Sequence, residues 1–128
     1  MSEVFTPISI GELLDKITIL QIKSSQIKDT EKLVNINKEL SLLVDVCVKN
    51  KIDTNDKLVH DLKRHNEALW EIEDQIRDKE RAKEFDEEFI RLARAVYYTN
   101  DKRADVKKQI NLKSGSALVE EKSYNKYE

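Results

Sequence analysis

Two polar side chains interrupt helical stripes that are otherwise apolar. His65 falls in the heptad-like stripe of residues 58–76, and Arg103 falls in the stripe of residues 89–110. A chain reversal near residue 84 would bring His65 level with Arg103, and a reversal near residue 52 would bring Glu39 to the same height. Two interruptions at one height indicate a buried polar layer between the helices.

The chemistry open to this layer depends on the charge of Arg103. An unpaired charge inside a helical seam costs several kcal/mol, so three arrangements are open. Arg103 could pair with an acid from the second or third helix, hold a small anion, or reach out to solvent. The candidate ligand-binding residues at this level are Arg103, Lys107, His65, Glu39 and Asn100.

The sequence predicts no metal site, no cofactor and no catalytic residue. A zinc site needs several Cys or His ligands, and the chain holds only Cys47, His60 and His65. The two histidines are not spaced to share one helical face, and no Glu-x-x-His string suggests a di-iron centre. Cys47 lies on an apolar stripe, which predicts a buried and unreactive thiol.

The elements that position these residues are predicted to be helices. The 128 residues include two Gly and one Pro, too few turn formers for a sheet, and the length suits one domain over 1–128. Capping signals at Ser9, Asp29, Asp53 or Thr54, Asp86 and Gly115 place the helix ends. The predicted helices cover about 10–28, 30–50, 54–82 and 85–113, with a tail at 114–128.

The connections between these helices are short, so consecutive helices are expected to be antiparallel neighbours. The fold class is therefore all-α. The expected architecture is a set of antiparallel helical hairpins that form a four-helix bundle or a long coiled-coil-like hairpin.

The sequence also predicts where the protein is located and which classes of partner it does not bind. The chain has no apolar run of membrane-spanning length, its first residues lack a signal-peptide pattern, and it has one cysteine. These features predict a cytoplasmic protein with no membrane partner. The formal net charge of -2 gives no overall attraction to nucleic acid, and no aromatic platform accompanies the basic residues of the fourth helix.

An extra apolar face predicts self-association. Ile19 and Ile22 fall outside the core-facing arc of the first predicted helix, and Leu42 and Val46 fall outside that of the second. Four such residues on adjacent helices could form a patch that a dimer would bury. The alternative is that other parts of the chain cover them.

Four ordered strings carry a resemblance to a known family: Pro7–Leu20, Leu69–Arg77, Phe85–Ala104 and Gly115–Tyr124. Together they resemble a family of short bacterial proteins of unknown function, the domain-of-unknown-function family 6165. The resemblance implies a small bacterial protein in a glycan-synthesis context, and it favours an ordered tail as strongly as composition favours a disordered one. It implies no activity, so no functional residue is carried over.

The predicted function is a non-enzymatic helical interaction or scaffolding module, with self-association or another protein as its partner. The alternative is a small-anion-binding bundle or enzyme of the chorismate-mutase type. In such bundles Arg and Lys hold a dicarboxylate in a water-poor pocket, and Arg103 and Lys107 are the candidates here. The Arg-rich start of the first helix in that family is missing from this chain.

Overall fold

The helices begin and end at local capping groups. In the computed structural model, which describes residues 2–127, four helices occur in chain order: α1 Ile10–Gln26, α2 Thr30–Lys49, α3 Lys57–Ala82 and α4 Glu87–Ser114. No strand occurs within that described range. The predicted all-α fold is confirmed.

Most of the predicted caps are present. Ser9 Oγ accepts a hydrogen bond from the Glu12 amide at 3.1 Å, Asp29 caps α2, and Asp86 accepts from the Phe89 amide at 2.9 Å. Gly115 ends α4 with a φ of 69°, a left-handed conformation that glycine adopts without steric cost. These helix ends follow from local chemistry alone.

The start of the third helix differs from the prediction. Asp53 Oδ1 accepts from the Asn55 amide at 2.8 Å, which closes an Asx turn instead of starting a helix. Asp56 then accepts from the Leu58 amide at 2.8 Å and caps α3, which begins at Lys57. The predicted start near residue 54 and the predicted Asp53 or Thr54 cap are therefore wrong.

Helix α1 lies at the centre of the molecule. It packs against α2, α3 and α4, whereas the backbone of α2 approaches no helix except α1. The main apolar core draws on every helix and consists of Leu13, Leu14, Ile17, Cys47, Val59, Leu62, Val106 and Ile110. The expected pairing of α2 with α3 does not occur, because α1 occupies the position between them.

The predicted apolar patch is also only partly exposed. Ile22 is 4% exposed and Ile19 is half-buried, so the chain itself covers much of that face of α1. Leu42 and Val46 on α2 are exposed, as predicted. Ile22 cannot contribute to a surface for self-association.

Candidate functional site

A buried aspartate on α1 is the centre of the polar layer. Asp15 is 1% exposed and faces α4, where Arg103 donates to both of its carboxylate oxygens. The Nε bond to Oδ1 measures 3.0 Å, and Nη2 bonds Oδ2. Such a two-pronged contact fits the planar guanidinium to the carboxylate. The acid that pairs with Arg103 thus comes from α1.

Two further polar side chains satisfy the remaining acceptors of this buried group. Asn66 Nδ2 on α3 donates to Asp15 Oδ1 at 2.9 Å and to Thr18 Oγ1 at 3.0 Å. The Thr18 hydroxyl donates to the Asp15 backbone oxygen at 2.9 Å. No buried side-chain nitrogen or oxygen in the described residues lacks a partner, so this layer carries no uncompensated polar group.

Lys107 is a second buried cation beside Asp15. Its side chain is 7% exposed, and Nζ donates to Glu12 Oε2 at 2.6 Å. The same nitrogen lies 3.5 Å from Asp15 Oδ2 and 3.5 Å from Glu120 Oε1 in the C-terminal tail. Arg103 and Lys107 are therefore held among three carboxylates.

The helices approach each other closely enough for these contacts because α1 has a glycine at the crossing. A Cβ placed on Gly11 would lie 2.7 Å from the Lys107 backbone oxygen and 2.9 Å from Asn111 Oδ1. Asn111 Oδ1 instead accepts from the Gly11 amide at 2.6 Å. The missing side chain allows α1 and α4 to meet at backbone distance.

The charges of the layer stabilise each other. Burial alone would raise the pKa of Asp15, but hydrogen bonds from Arg103 and Asn66, with the charges of Arg103 and Lys107, lower it below its usual value. The Asp15 hydrogen bond raises the pKa of Arg103. Burial would lower the pKa of Lys107, yet the bond to Glu12 and the nearby carboxylates raise it. Asp15, Arg103 and Lys107 therefore stay ionised at neutral pH.

Three of the five candidate site residues come together. Arg103 and Lys107 share Asp15, and Asn100 Oδ1 accepts from Arg103 Nη1 at 3.2 Å. Glu39 is exposed on α2, which does not reach α4, so it is not part of the layer. The prediction that an acid from the second or third helix pairs with Arg103 is wrong.

His65 lies near the layer but outside it. No hydrogen bond or ion pair joins His65 to Arg103 among residues 2–127. Burial first, and then the charge of Lys102, lower the pKa of His65 below its usual value, so at neutral pH the imidazole is uncharged. It therefore adds no positive charge to the site.

Sequence reasoning missed Asp15, the most buried charged residue. Its position in the sequence of α1 could have identified it, because Asp15 and Thr18 lie next to core residues such as Leu14 and Ile17. A charged residue inside the apolar arc of a helix needs a buried partner. The contribution of Glu120 had no comparable signal, because the tail lacks helical periodicity.

Neither a metal site nor a membrane helix is found in the described part of the chain. No group of His, Cys, Asp and Glu in residues 2–127 could hold a metal ion. Cys47 is a free, buried cysteine, and burial raises the pKa of its thiol. None of the four helices is long and apolar enough to cross a bilayer.

A second feature is an uncharged stripe on the outer surface of α2. Six residues at alternating intervals of four and three line one side of this helix: Thr30, Val34, Asn37, Ser41, Val44 and Val48. All six are exposed, and Val34 and Val48 are 67% and 70% exposed. This spacing is that of a helix-packing seam. One of the six residues, Asn37, borders α1, since its Oδ1 accepts a hydrogen bond from Ser24 Oγ at 3.0 Å.

Comparison with known proteins gives one match. A family of unknown function (DUF6165) matches residues 4–127, nearly the whole length. Neither the search of curated proteins nor the search of solved structures found a match.

Proposed function

The chain belongs to the family of unknown function DUF6165, and we propose that it acts as a non-enzymatic helical interaction module that pairs with a second copy of itself through α2. The uncharged α2 stripe carries this proposal. Self-association was also expected from the sequence, but the α2 stripe replaces the face that included Ile22, because Ile22 is buried.

The α2 stripe is free to pair because of where α2 lies. The backbone of this helix approaches that of α1 and of no other helix, and the valines of the stripe are exposed, so they are not needed for the fold of the same chain. A run of exposed valines at helix-packing intervals is costly to leave in water, and a second helix laid along it would cover them. The polar layer, by contrast, already has an opposite charge beside each cation.

The chemistry of α2 fits a copy of itself. Three exposed acids and three exposed bases balance its surface charge: Glu31, Glu39, Asp45, Lys32, Lys38 and Lys49. The stripe also reads nearly the same from both ends. In an antiparallel pair Val34 meets Val44 of the second copy, and Asn37 meets Ser41, as a twofold interface requires.

The flanking charges oppose this pairing only weakly. Lys38 would lie near the twofold axis and meet its own copy, and Glu31 would meet Asp45 of the second copy. Like charges at exposed helix positions cost about 0.5 kcal/mol or less each. Covering a largely exposed valine contributes about 1 kcal/mol or more, so the apolar gain is larger. We expect a weak dimer.

A charge-pair experiment tests both the dimer and its orientation. Light scattering after size exclusion should show a dimer of the wild type at high micromolar concentration and monomers for Val34→Glu and for Val44→Lys. Mixing the two variants should restore a dimer, because the new Glu and Lys then face each other. Circular dichroism checks that each variant remains helical.

The matched control is Leu42→Glu, which adds the same charge to the other side of α2. This variant should still dimerise. A wild type that stays monomeric at high micromolar concentration would overturn the proposal. So would a Leu42→Glu variant that dissociates while Val34→Glu does not.

We place this module in a bacterial cytoplasm and in the glycan-synthesis context that the family resemblance implies. A single buried thiol is the cysteine usage expected in a reducing compartment. Recovery of the protein in the secreted or membrane fraction of its host cell would contradict this location.

A further inference from the structure

The C-terminal tail lies along α4 and encloses a cleft beside the polar layer. Ser116 starts this path, since its Oγ accepts from the Ile10 amide at 3.1 Å and its own amide donates to the Asn111 oxygen at 2.9 Å. Farther along, the Tyr124 hydroxyl donates to Asp101 Oδ1 at 2.8 Å. The cleft between the tail and α4 has a volume of about 350 Å³.

The walls of the cleft combine cations with tyrosine rings and one carboxylate besides that of Glu120, the Asp101 carboxylate that accepts from the Tyr124 hydroxyl. Arg103 and Lys107 line it from α4 with Tyr97, while Lys122 and Tyr124 line it from the tail. A volume of this size is within the usual range for small-molecule sites, about 300–1,000 Å³. The cleft can therefore hold an organic molecule with a charged group at one end.

A carboxylate of the chain itself occupies the charged end. Glu120 Oε1 lies 3.5 Å from Lys107 Nζ and 3.5 Å from Lys122 Nζ. The layer beneath does not need this carboxylate, because Asp15 and Glu12 already balance Arg103 and Lys107. Glu120 is 41% exposed and comes from a segment without secondary structure, so it can leave without disturbing a helix.

We propose that this cleft binds a small organic anion, with a phosphate or carboxylate group in the place of Glu120. Lys107, Lys122 and the outer edge of the Arg103 guanidinium would hold the oxygens, and the rings of Tyr97 and Tyr124 would contact the organic body. In the unliganded chain Glu120 is an intramolecular substitute for this ligand. This site is separate from the α2 stripe, so the two proposals can fail independently.

Competition between Glu120 and the ligand gives a sharp test. Phenyl phosphate is a suitable probe, because it joins an oxyanion to a ring. By isothermal titration calorimetry, Glu120→Gln should bind it about two- to fivefold more tightly than the wild type, the range expected from removing one exposed ion pair. Lys122→Gln in the same background should reverse most of this gain.

The control is Glu121→Gln, which changes the net charge equally. Glu121 is 75% exposed, lies 4.0 Å from Lys108, and does not line this cleft. The affinity of the Glu121→Gln variant for phenyl phosphate should match that of the wild type. Equal gains for Glu120→Gln and Glu121→Gln would show general charge attraction and overturn the proposal, as would no gain for Glu120→Gln.

A second measurement follows the tail in the wild type. Because Lys122 would hold the bound oxyanion, saturating phenyl phosphate should slow tryptic cleavage at Lys122 at least about twofold. Cleavage elsewhere in the chain serves as the internal reference. An unchanged or faster rate of cleavage at Lys122 would contradict a ligand held by this residue.

Discussion

Asp15 is the residue on which the buried charges depend. Its carboxylate accepts hydrogen bonds from Arg103 on α4 and Asn66 on α3, and lies 3.5 Å from Lys107. One side chain on the central helix thus joins three helices. A buried ion pair adds little stability over a well-packed apolar pair, but it penalises any register in which its partners do not meet. Asp15 therefore selects how α1 lies on the α3–α4 hairpin.

Replacing this carboxylate should destabilise the protein in a pH-dependent way. At neutral pH Asp15→Asn should lower the free energy of unfolding by about 3 kcal/mol, because Arg103 and Lys107 lose their shared buried counter-charge. The pKa of Asp15 is lowered in the folded state, so its contribution is present above its unfolded value of 3.8. The contribution disappears as the pH falls through the lower folded value. Urea unfolding from about pH 7 to about pH 3 should show the two proteins converging.

An exposed acid provides the comparison for this series. Asp45 pairs with Lys49 at 2.9 Å on the surface of α2, and both side chains are more than half exposed. Asp45→Asn should change the free energy of unfolding by less than about 1 kcal/mol and keep the acid dependence of the wild type. If Asp15→Asn also kept the full acid dependence, the layer would not be the source of it.

The short distance at which α1 crosses α4 depends on Gly11, which has no side chain. Gly11 is helical, a position where glycine is normally unfavourable by roughly 0.5–1 kcal/mol relative to alanine. The cost is offset here because its amide bonds Asn111 and its α-carbon approaches the α4 backbone. The distance between these helices in turn brings Asp15 within reach of Arg103.

Adding one methyl group at this crossing should separate the helices. We expect Gly11→Ala to lower the free energy of unfolding by about 2 kcal/mol, since its Cβ would meet the Lys107 carbonyl at 2.7 Å. Thermal and urea unfolding measure this loss. The shift should also weaken the Asp15 ion pair, so the acid dependence of stability should decrease.

Gly115 provides a control that separates the effect of helix packing from the effect of backbone conformation. Gly115 has a φ of 69° and no atom within 4 Å of an added Cβ. Gly115→Ala should therefore cost only the strain of a left-handed residue, about 1 kcal/mol, with an unchanged acid dependence. A Gly11→Ala variant as stable as the wild type would contradict the close crossing.

Stability is unevenly distributed across the whole molecule. Helix α1 is held by three neighbours and contains eight buried residues, whereas α2 is held by one neighbour and contains two, Ile36 and Cys47. Segments with few buried contacts open at lower free energy than the global unfolding. The helix that we propose as the pairing surface is thus also the least anchored one.

Hydrogen exchange should reveal this difference. At low protein concentration, where paired copies dissociate, amides between Ile36 and Leu43 on α2 should exchange faster than those around Leu62 on α3, whose side chain is fully buried. Raising the concentration should slow exchange along α2 alone, because pairing covers it. Equal protection of α2 and α3 at low concentration would contradict this distribution.

Local chemistry made much of the fold predictable from the sequence. The caps at Ser9, Asp29, Asp86 and Gly115 act on amides or dihedral angles a few residues away, so they could be recognised without knowing the fold. The wrong prediction of a helix cap at Asp53 also has a local cause, since an Asx turn and an N-cap use the same side-chain oxygen. Helical periodicity likewise indicated that Arg103 would interrupt an apolar seam.

The partner of Arg103 depended on the tertiary structure. Loop lengths suggested neighbours by order in the chain, which favoured Glu39 on α2, but α1 lies between α2 and the long hairpin. Asp15 and Arg103 are 88 residues apart, and what brings them together is a close crossing allowed by Gly11. Periodicity specifies which side of each helix is buried. The pairing of these buried sides depends on how closely two helix backbones can pack. Close packing is a property of the assembled helices, so it cannot be read from any single segment.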